Sequence, residues 1–379
     1  MTRRAPRAAI GWLLVALLAA PGCSATTPRP APPSQAATMG PSVSPTSEGR
    51  WRVGKVTGTL ASGLAAPWSV VPLADGGALV SQRDDGAVLE LSAGGELREV
   101  GAVPGVVSGG ESGLHGLALL TTGGTPMLFA YFGAADDNRV VRMPLHGEPG
   151  SFELGEPEVL VEGIPRANTH DGGRLAFGPD GYLYITTGDA QQRDAAQDPD
   201  ALGGKILRVT ADGDPAPGNP WGTRVWSMGH RNVQGIAWTA DGTMWASEFG
   251  QNTWDELNRI EPGANYGWPL VEGVAGREGL VDPVAQWATS DASPSGIAAA
   301  GDTVFIAGLR GERLWQVDTR AGGAADDPIA AFAGEYGRLR DVVVVPDGSL
   351  WVLTSNTDGR GSPQPDDDLL LRVEIVPAV

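Results

Sequence analysis

The sequence predicts an all-β protein, a six-bladed β-propeller with four-stranded antiparallel blades, from three observations. Gly accounts for 55 of the 379 residues and Pro for 30, which is too many helix-breaking residues for a helical bundle. One short theme, a turn followed by a strand of alternating apolar residues, occurs six times. Successive copies are 46 to 61 residues apart, a spacing that suits one four-stranded blade with variable loops.

The N-terminal segment, residues 1–22, is typical of a secretion signal. Arginines precede an apolar stretch at 10–20 that is too short to span a bilayer comfortably. Cys23, the only cysteine in the sequence, stands where a bacterial lipoprotein signal places the residue that receives lipid. Pro21 departs from the small-residue run that usually precedes that cysteine, so ordinary cleavage nearby stays open. Both alternatives predict a protein outside the cytoplasm, without disulfides.

Residues 23–50 predict a disordered tether. They are rich in Pro, Ser, Thr and Ala and contain almost no large apolar side chain that could pack. We therefore expect the propeller, the catalytic domain, to comprise residues 51–379.

The six repeats identify the blades. Most copies begin with Asp-Gly, which supplies the positive φ of a tight hairpin turn. Alternation follows, as in Leu183 and Ile185 against Tyr184 and Thr186. A β-sandwich would not explain six similar units. The copies are residues 75–82, 123–132, 180–189, 241–250, 301–309 and 347–356.

The two ends of the domain are expected to close the ring. A strand at 51–60 would pair with a C-terminal strand at 369–375, which hides the edges that an open sheet would leave.

Composition excludes some partners. Lys and Arg number 27 against 45 Asp and Glu, so the net charge is -18, and a surface this acidic repels phosphate backbones. Nucleic acid is excluded as a partner on this ground. An anionic ligand would need a locally basic pocket.

His170 and Asp189 are the first candidates for a catalytic pair. They flank two strands joined by the predicted turn at 180–181, and such a hairpin brings its outer ends together. A carboxylate beside an imidazole orients the ring and stabilises the imidazolium that forms when it takes a proton. A histidine that merely caps a turn is the alternative.

Two further loops carry polar groups. Arg231 and Asn232 lie before a strand, and a guanidinium offers a planar fork to a carboxylate or a quinone oxygen. The loop at 247–256 contains carbonyls that could face a hard cation. Its Asp and Asn spacing matches no EF-hand, so the residues alone do not establish calcium.

A third cluster consists of Arg310, Arg338 and Arg340. The last two are two residues apart and therefore share one face of an extended segment. In so acidic a chain they predict an anion pocket. The alternative is that they pair with neighbouring carboxylates, namely Glu312, Glu335 or Asp341.

Seven segments in this order resemble the soluble PQQ-dependent sugar dehydrogenases, the glucose/sorbosone dehydrogenase family, and especially its aldose sugar dehydrogenase branch. The resemblance covers roughly residues 60–375. The segments are ESGLHGLA (111–118), HDGGRLAFGPDG (170–181), GGKILR (203–208), GHRNVQG (229–235), SEFGQN (247–252), NYGWP (265–269) and RLRD (338–341).

The resemblance implies oxidation of the C1 hydroxyl of an aldose to the lactone, with pyrroloquinoline quinone (PQQ) as cofactor and calcium bridging cofactor and protein. His170 would be the general base, Asp189 its orienting partner, and Arg231 the group that polarises the quinone oxygens, with Asn232 beside it. An external acceptor would then take the electrons. By position, the other cofactor contacts are Glu111, Arg310, Arg338, Arg340 and, by a looser match, Trp287.

The same resemblance assigns the main-chain carbonyls of Gly250 and Gln251 to calcium. Three positions depart from the family: Gln251 replaces a common Pro, Asp171 a common Asn, and His115 an apolar residue. We expect His115 to alter the rim of the substrate site.

Two other functions remain open from the residues alone. A propeller lactonase or hydrolase would need a central metal held by converging carboxylates and Asn, whereas these motifs supply Arg and one His. A non-catalytic surface propeller that binds carbohydrate or protein would have no need of the His170 and Asp189 pair.

Overall fold

The computed structural model describes residues 49–121, 124–320, 323–324 and 327–378. The predicted signal, Cys23 and the tether up to residue 48 lie outside the described residues. Within the described ranges, no helix is both long and apolar enough to cross a membrane.

The described chain folds into six antiparallel blades, which confirms the predicted propeller. Each of the first three blades runs from an inner strand outward. They are β2 (Pro67–Pro72), β3 (Ala78–Gln82), β4 (Ala87–Leu91) and β5 (Leu97–Ala102); β6 (Leu114–Leu120), β7 (Met127–Gly133), β8 (Asn138–His146) and β10 (Glu158–Ile164), with β9 (Glu153–Leu154) also on β8; and β11 (Gly172–Phe177), β12 (Leu183–Thr187), β13 (Lys205–Val209) and β14 (Val225–Met228).

The last three blades follow the same order. They are β15 (Val233–Trp238), β16 (Met244–Glu248), β17 (Trp254–Ile260) and β18 (Ala285–Ala288); β19 (Pro294–Ala300), β20 (Thr303–Gly308), β21 (Arg313–Asp318) and β22 (Ile329–Ala331); and β23 (Leu339–Val344), β24 (Leu350–Thr354), β25 (Leu370–Pro377) and β1 (Trp51–Ala61). A short 3₁₀ helix, Arg193–Gln197, lies between β12 and β13.

The inner strands form the central ring. Each of β2, β6, β11, β15, β19 and β23 contacts the inner strands of both neighbouring blades. The second strand of every blade is almost wholly buried, because both of its faces pack against other blades. Continuous runs of Leu, Ile, Val and Ala supply this core.

The predicted ring closure is confirmed. β1 pairs antiparallel with β25, with Val53 opposite Ile375 and Thr59 opposite Leu371. The first strand also bonds to the fifth blade, because the Val53 amide donates to Gln316 Oε1 at 2.8 Å. The sixth blade therefore contains both ends of the domain.

The Asp-Gly turns join the first and second strands of their blades. In the third blade, the Tyr182 amide donates to Asp180 Oδ1 at 3.2 Å, and Gly181 has φ +80°. Such an Asx turn needs a residue that tolerates positive φ. These turns follow the ends of the inner strands, so they lie opposite the face where the inner strands begin.

Candidate active site

A cavity of about 340 Å³ lies at the face of the propeller where the inner strands begin. Trp68 of β2, Gln234 of β15 and Arg340 of β23 reach it from three inner strands. Loops between strands complete the wall. Five guanidinium groups line this cavity, from Arg83, Arg310, Arg338, Arg340 and Arg360, together with the carboxylate of Glu111.

Arg338 and Arg340 meet on one carboxylate, that of Asp358. Oδ2 of Asp358 accepts hydrogen bonds from Arg338 Nη2 at 2.8 Å and Arg340 Nη2 at 3.4 Å. Asp341, a candidate partner from the sequence, instead forms an ion pair with buried Arg174 at 2.8 Å. The two cavity arginines thus share one negative charge.

This sharing leaves positive charge uncompensated. Burial, with Arg338 and Arg83 nearby, lowers the pKa of Arg340 to about 9 against the opposing effect of Asp358. Arg340 Nε is buried and, among the described residues, has no hydrogen-bond partner. An anionic ligand would relieve both costs.

His170 lies beside the cavity and contacts Asp189 as the hairpin geometry predicts. Its Nδ1 is 2.8 Å from Asp189 Oδ1, and its side chain is 18% exposed. Its backbone has φ +67°, which is uncommon for a residue with a Cβ. Gly188 allows this conformation, because a Cβ there would lie 1.7 Å from the His170 carbonyl oxygen.

The hydrogen bonds of His170 determine its tautomer. Arg231 Nη2 lies 2.8 Å from His170 Nε2, and because a guanidinium can only donate, Nε2 is the acceptor. Nδ1 therefore carries the proton and donates it to Asp189. An imidazole with its lone pair on Nε2, here accepting from Arg231, is the tautomer that a general base acting at Nε2 requires.

Asp189 is itself held in place. Its Oδ2 accepts from Trp268 Nε1 at 2.8 Å, and its Oδ1 accepts from the Gln191 amide at 2.9 Å. Burial opposes ionisation, but the hydrogen bonds from His170 and these two donors prevail and lower the pKa of Asp189. The carboxylate stays charged and can stabilise an imidazolium.

Arg231 and Asn232 lie next to this pair. The Arg231 amide donates to buried Glu248, and its Nη1 donates to the Phe249 carbonyl at 3.1 Å. Asn232 Oδ1 accepts from the Gly172 amide at 3.0 Å. Within the described residues, Arg231 Nε and Asn232 Nδ2 are buried donors without a partner, so the hydrogen-bonding capacity of each is unsatisfied.

Glu111 connects the cavity wall with His170. Its Oε2 accepts the His170 amide at 2.8 Å, and its Oε1 accepts Arg360 Nη1 at 2.7 Å. Burial opposes its ionisation, but the bond from Arg360 and the other favourable contacts lower the pKa of Glu111. Glu111 is therefore an anion that fixes the backbone of the candidate base.

The loop containing Gly250 and Gln251 is wrapped around one carboxylate oxygen. The four amides from Gln251 to Trp254 all donate to Glu272 Oε1, at 2.8 to 3.1 Å. The Gly250 amide donates to Asp255. No described hydrogen bond ends on the Gly250 or Gln251 carbonyl, so these oxygens remain available to a cation. In the described ranges, no three His, Cys, Asp or Glu side chains are grouped as a metal site.

Two residues singled out in the sequence lie elsewhere. Trp287 is on β18, the outermost strand of its blade, and packs against Trp315 at 5.7 Å between ring centroids; the structure does not bring it to the cavity. His115 is wrong as a rim residue, because it is buried between Trp68 and Tyr131. Burial lowers the pKa of His115 to about 3.

Several site residues were missed by sequence reasoning. Trp268, Gln234 and Glu248 belong to the segments NYGWP, GHRNVQG and SEFGQN, so their positions were marked without their roles. No local pattern signals the others, since each depends on contacts between distant loops. They are Arg83, Glu272, Asp358 and Arg360.

Fold and site together define a class: a six-bladed propeller with a cationic cavity beside a histidine oriented to accept a proton. Comparison with known proteins identifies the family within that class. The family model described as Glucose / Sorbosone dehydrogenase matches residues 64–372. The chain belongs to this family.

Individual relatives agree with that assignment. The aldose sugar dehydrogenase YliI of Escherichia coli is 30% identical over 78% of this chain and 89% of that protein. The PQQ-bound structure of aldose sugar dehydrogenase from Streptomyces coelicolor is 51% identical, with a TM-score of 0.82, and covers 86% of this chain and 99% of that one. The apo-form of the soluble Escherichia coli aldose sugar dehydrogenase has 26% identity and a TM-score of 0.70, over 87% of this chain and all of that one.

Proposed function

We propose that the protein is a PQQ-dependent dehydrogenase that oxidises the C1 hydroxyl of aldose sugars to the lactone. The observation that carries this proposal is the acceptor nitrogen of His170, fixed by Asp189 and Arg231, beside a cavity lined by five arginines. The five arginines fit a cofactor with three carboxylates, and the acceptor nitrogen of His170 fits a base that acts beside it.

The chain's own residues fit PQQ by charge and by hydrogen bonding. Arg310, Arg338 and Arg340 would hold its carboxylates. Among the described residues, Arg340 Nε has no hydrogen-bond partner and would donate to one of these carboxylates. The unpaired donors of Arg231 and Asn232 would bind its quinone oxygens. When bound, PQQ supplies the electrophilic carbonyl that accepts hydride from C1.

His170 would take the proton of the sugar hydroxyl at Nε2. The hydroxyl would replace Arg231 Nη2 as the donor to this nitrogen, while Arg231 turns its guanidinium to the cofactor. Asp189 keeps Nδ1 protonated and stabilises the imidazolium that results. Glu111 fixes the His170 backbone, so the ring does not drift as its charge changes.

Calcium is the second cofactor that we propose. The carbonyls of Gly250 and Gln251 are hard oxygen ligands, and the bonds from neighbouring amides to Glu272 direct the loop's donors away from them. Gly250 and Gln251 would hold the ion through main-chain oxygens, and its positive charge would offset that of the cofactor carboxylates.

We further propose an extracytoplasmic enzyme, anchored through lipid on Cys23 or else secreted, that passes its electrons to an external acceptor. The support is the sequence alone: the signal-like residues 1–22 and the Pro-rich segment that follows.

A lactonase or a binding module is less well supported. A central metal held by carboxylates would need acidic residues on the cavity wall, and this wall presents five arginines and one glutamate. A binding module would not need a histidine held in one tautomer by two charged neighbours.

Reconstitution tests the proposal. Protein purified without cofactor is mixed with PQQ and Ca²⁺, and reduction of an artificial dye is followed with a panel of aldoses. We expect dye reduction that depends on PQQ, Ca²⁺ and sugar together. Absence of any PQQ-induced absorbance change would remove the proposal.

A further inference from the structure

Arg360, like Arg83, is a cavity arginine to which the proposed cofactor contacts assign no role. It lies in the loop between β24 and β25, and its side chain is 51% exposed. Its Nη1 donates to Glu111 Oε1 at 2.7 Å, while Glu111 Oε2 accepts the His170 amide at 2.8 Å. One carboxylate therefore connects Arg360 directly with the residue that carries the base. Arg360 therefore lies on the cavity wall, separated from the backbone of His170 by one carboxylate.

The position of Arg360 is fixed by the cofactor side of the same cavity. Its amide donates to Asp358 Oδ1 at 2.9 Å, while Asp358 Oδ2 binds Arg338 and Arg340. The carboxylate that organises the two buried arginines thus also holds the loop that presents Arg360. Arg360 has a defined backbone and a side chain that reaches across the mouth to Glu111.

The guanidinium of Arg360 has donors to spare. A guanidinium carries five N–H donors, and the bond to Glu111 is made by Nη1. Arg338 differs, because Nε and Nη2 both bind Asp358 and the side chain is buried. The remaining edge of Arg360 faces solvent at the mouth, and such an edge binds a carboxylate through two parallel hydrogen bonds.

We propose that Arg360 is a specificity-determining residue that selects aldoses carrying a carboxylate, the hexuronic acids, over neutral aldoses. This inference rests on the proposed function. The reaction is the same: the C1 hydroxyl gives its proton to His170 and C1 gives a hydride to PQQ, so lactone and reduced cofactor form and the distant carboxylate is unchanged. That carboxylate would bind the open edge of Arg360.

The overall charge makes a local cation necessary for such a substrate. The protein carries a net charge of -18, which repels an anionic sugar at long range. A guanidinium at the mouth offsets this repulsion where binding occurs. Because Arg360 is half exposed, salt should weaken its contribution.

The test compares D-glucuronate with D-glucose in the PQQ-loaded wild type, Arg360→Gln and Arg360→Lys. We expect the wild type to have the higher kcat/KM for the uronate. Arg360→Gln should lower the ratio of the two kcat/KM values about tenfold, mainly through KM, as expected for one partly exposed charge-assisted pair. Arg360→Lys keeps the positive charge but loses the two parallel N–H donors, so its ratio should lie between those of the wild type and Arg360→Gln. High salt should reduce the wild-type ratio more than that of Arg360→Gln.

Binding without turnover gives a second readout. Methyl β-D-glucuronide and methyl β-D-glucoside have a capped C1 oxygen and cannot be oxidised, so calorimetry reports affinity alone. We expect the loaded wild type to bind the glucuronide more tightly, and Arg360→Gln to lose that difference. Arg372→Gln is the matched control, because Arg372 is an equally exposed cation paired with Asp347 in the sixth blade. Arg372→Gln should change neither the ratio of the two kcat/KM values nor the ratio of the two glycoside affinities.

The outcomes separate the two proposals. A wild type that prefers glucose, or a ratio that Arg360→Gln leaves unchanged, overturns the role of Arg360 while the dehydrogenase function stands. Failure to oxidise any sugar, together with glucuronide binding that depends on Arg360, supports the anionic subsite and overturns the proposed reaction.

Discussion

His170 derives its chemistry from three neighbours that lie far apart in the sequence. Asp189 accepts a hydrogen bond from Nδ1, Arg231 donates one to Nε2, and Glu111 accepts one from the backbone amide. A free histidine exchanges between tautomers, whereas these contacts keep one. The residue that carries the proposed base is thus oriented before any substrate arrives.

Replacing His170 with Ala tests this residue directly. We expect turnover to fall by roughly 10²- to 10⁴-fold, the usual contribution of a general base. PQQ binding should persist, because the arginines proposed to hold its carboxylates are elsewhere. Steady-state dye reduction and a PQQ absorbance titration measure the two effects. Loss of cofactor binding together with turnover would show that His170 holds the site together instead of acting on the substrate.

The buried carboxyl group of Glu256 should make the stability of the protein depend on pH. Burial, with Glu248 opposite it on β16, raises the pKa of Glu256 from 4.5 to about 8. The folded protein therefore binds more protons than the unfolded chain between these values, so the free energy of unfolding should fall as pH rises through this window. The slope is at most about 1.4 kcal/mol per pH unit, the value for one proton.

The Glu256→Gln variant should lose this slope, because it has no proton to release. Urea unfolding at pH 5, 6, 7 and 8 measures the difference from wild type. Glu374→Gln, at an exposed position of β25, is the control and should behave as wild type. Equal slopes in wild type and Glu256→Gln would contradict the assigned pKa.

Sequence reasoning located the residues that sit next to recognisable turns and strands. His170 and Asp189 flank a hairpin, and Arg338 and Arg340 share one strand face, so local periodicity was enough. Arg360 and Arg83 meet the site only because the ring closes, and no spacing in the chain encodes that. Trp287 looked suitable as an aromatic near the cofactor, but its outer strand buries it between blades.

At the scale of single elements, the third blade positions the candidate base. β11 begins two residues after His170, and β12 ends two residues before Asp189. Gly172 pairs with Thr187 across these strands, so the two loops leave the sheet side by side. The hairpin is therefore the element that brings the two sequence motifs together as one candidate catalytic pair.

Gly188→Ala tests this arrangement. A Cβ would lie 1.7 Å from the His170 carbonyl oxygen, so the backbone on one side must move. We expect a loss of roughly 1 to 3 kcal/mol in stability and a fall in turnover as the contact with Asp189 is displaced. Gly58→Ala is the control, since nothing lies within 4 Å of its Cβ. Thermal unfolding and dye reduction report both effects; wild-type values for Gly188→Ala would contradict the packing.

At the scale of the whole molecule, β1 closes the ring. It pairs with β25 and also bonds to the fifth blade through Gln316. Removal of residues 1–61 should leave the edge of β25 unpaired, and we expect a lower unfolding temperature and self-association. Removal of residues 1–48 should leave both unchanged. Circular dichroism melts and light scattering compare the two truncated proteins. Equal unfolding temperatures and equal self-association would contradict closure of the ring by β1.

The number of blades and their closure were predictable because each blade repeats one turn and one apolar strand. The cavity was predictable only in part. The excess of positive charge in the cavity depends on how many carboxylates bind the same arginines. Asp358 binds both Arg338 and Arg340 from a loop that lies 20 and 18 residues further along the chain, respectively. This sharing lies within the sixth blade, between the start of β23 and the loop after β24, and no spacing in the sequence shows which carboxylate of that loop faces the arginines.

The central claim is that arginines from separate parts of the chain hold a tricarboxylated ring beside the imidazole of His170. A crystal structure of the protein soaked with PQQ and Ca²⁺ tests it most directly. We expect PQQ in the cavity, with its carboxylates on Arg310, Arg338 and Arg340 and its quinone oxygens within hydrogen-bond distance of Arg231. PQQ bound away from His170, or an empty cavity at saturating PQQ, would contradict the claim.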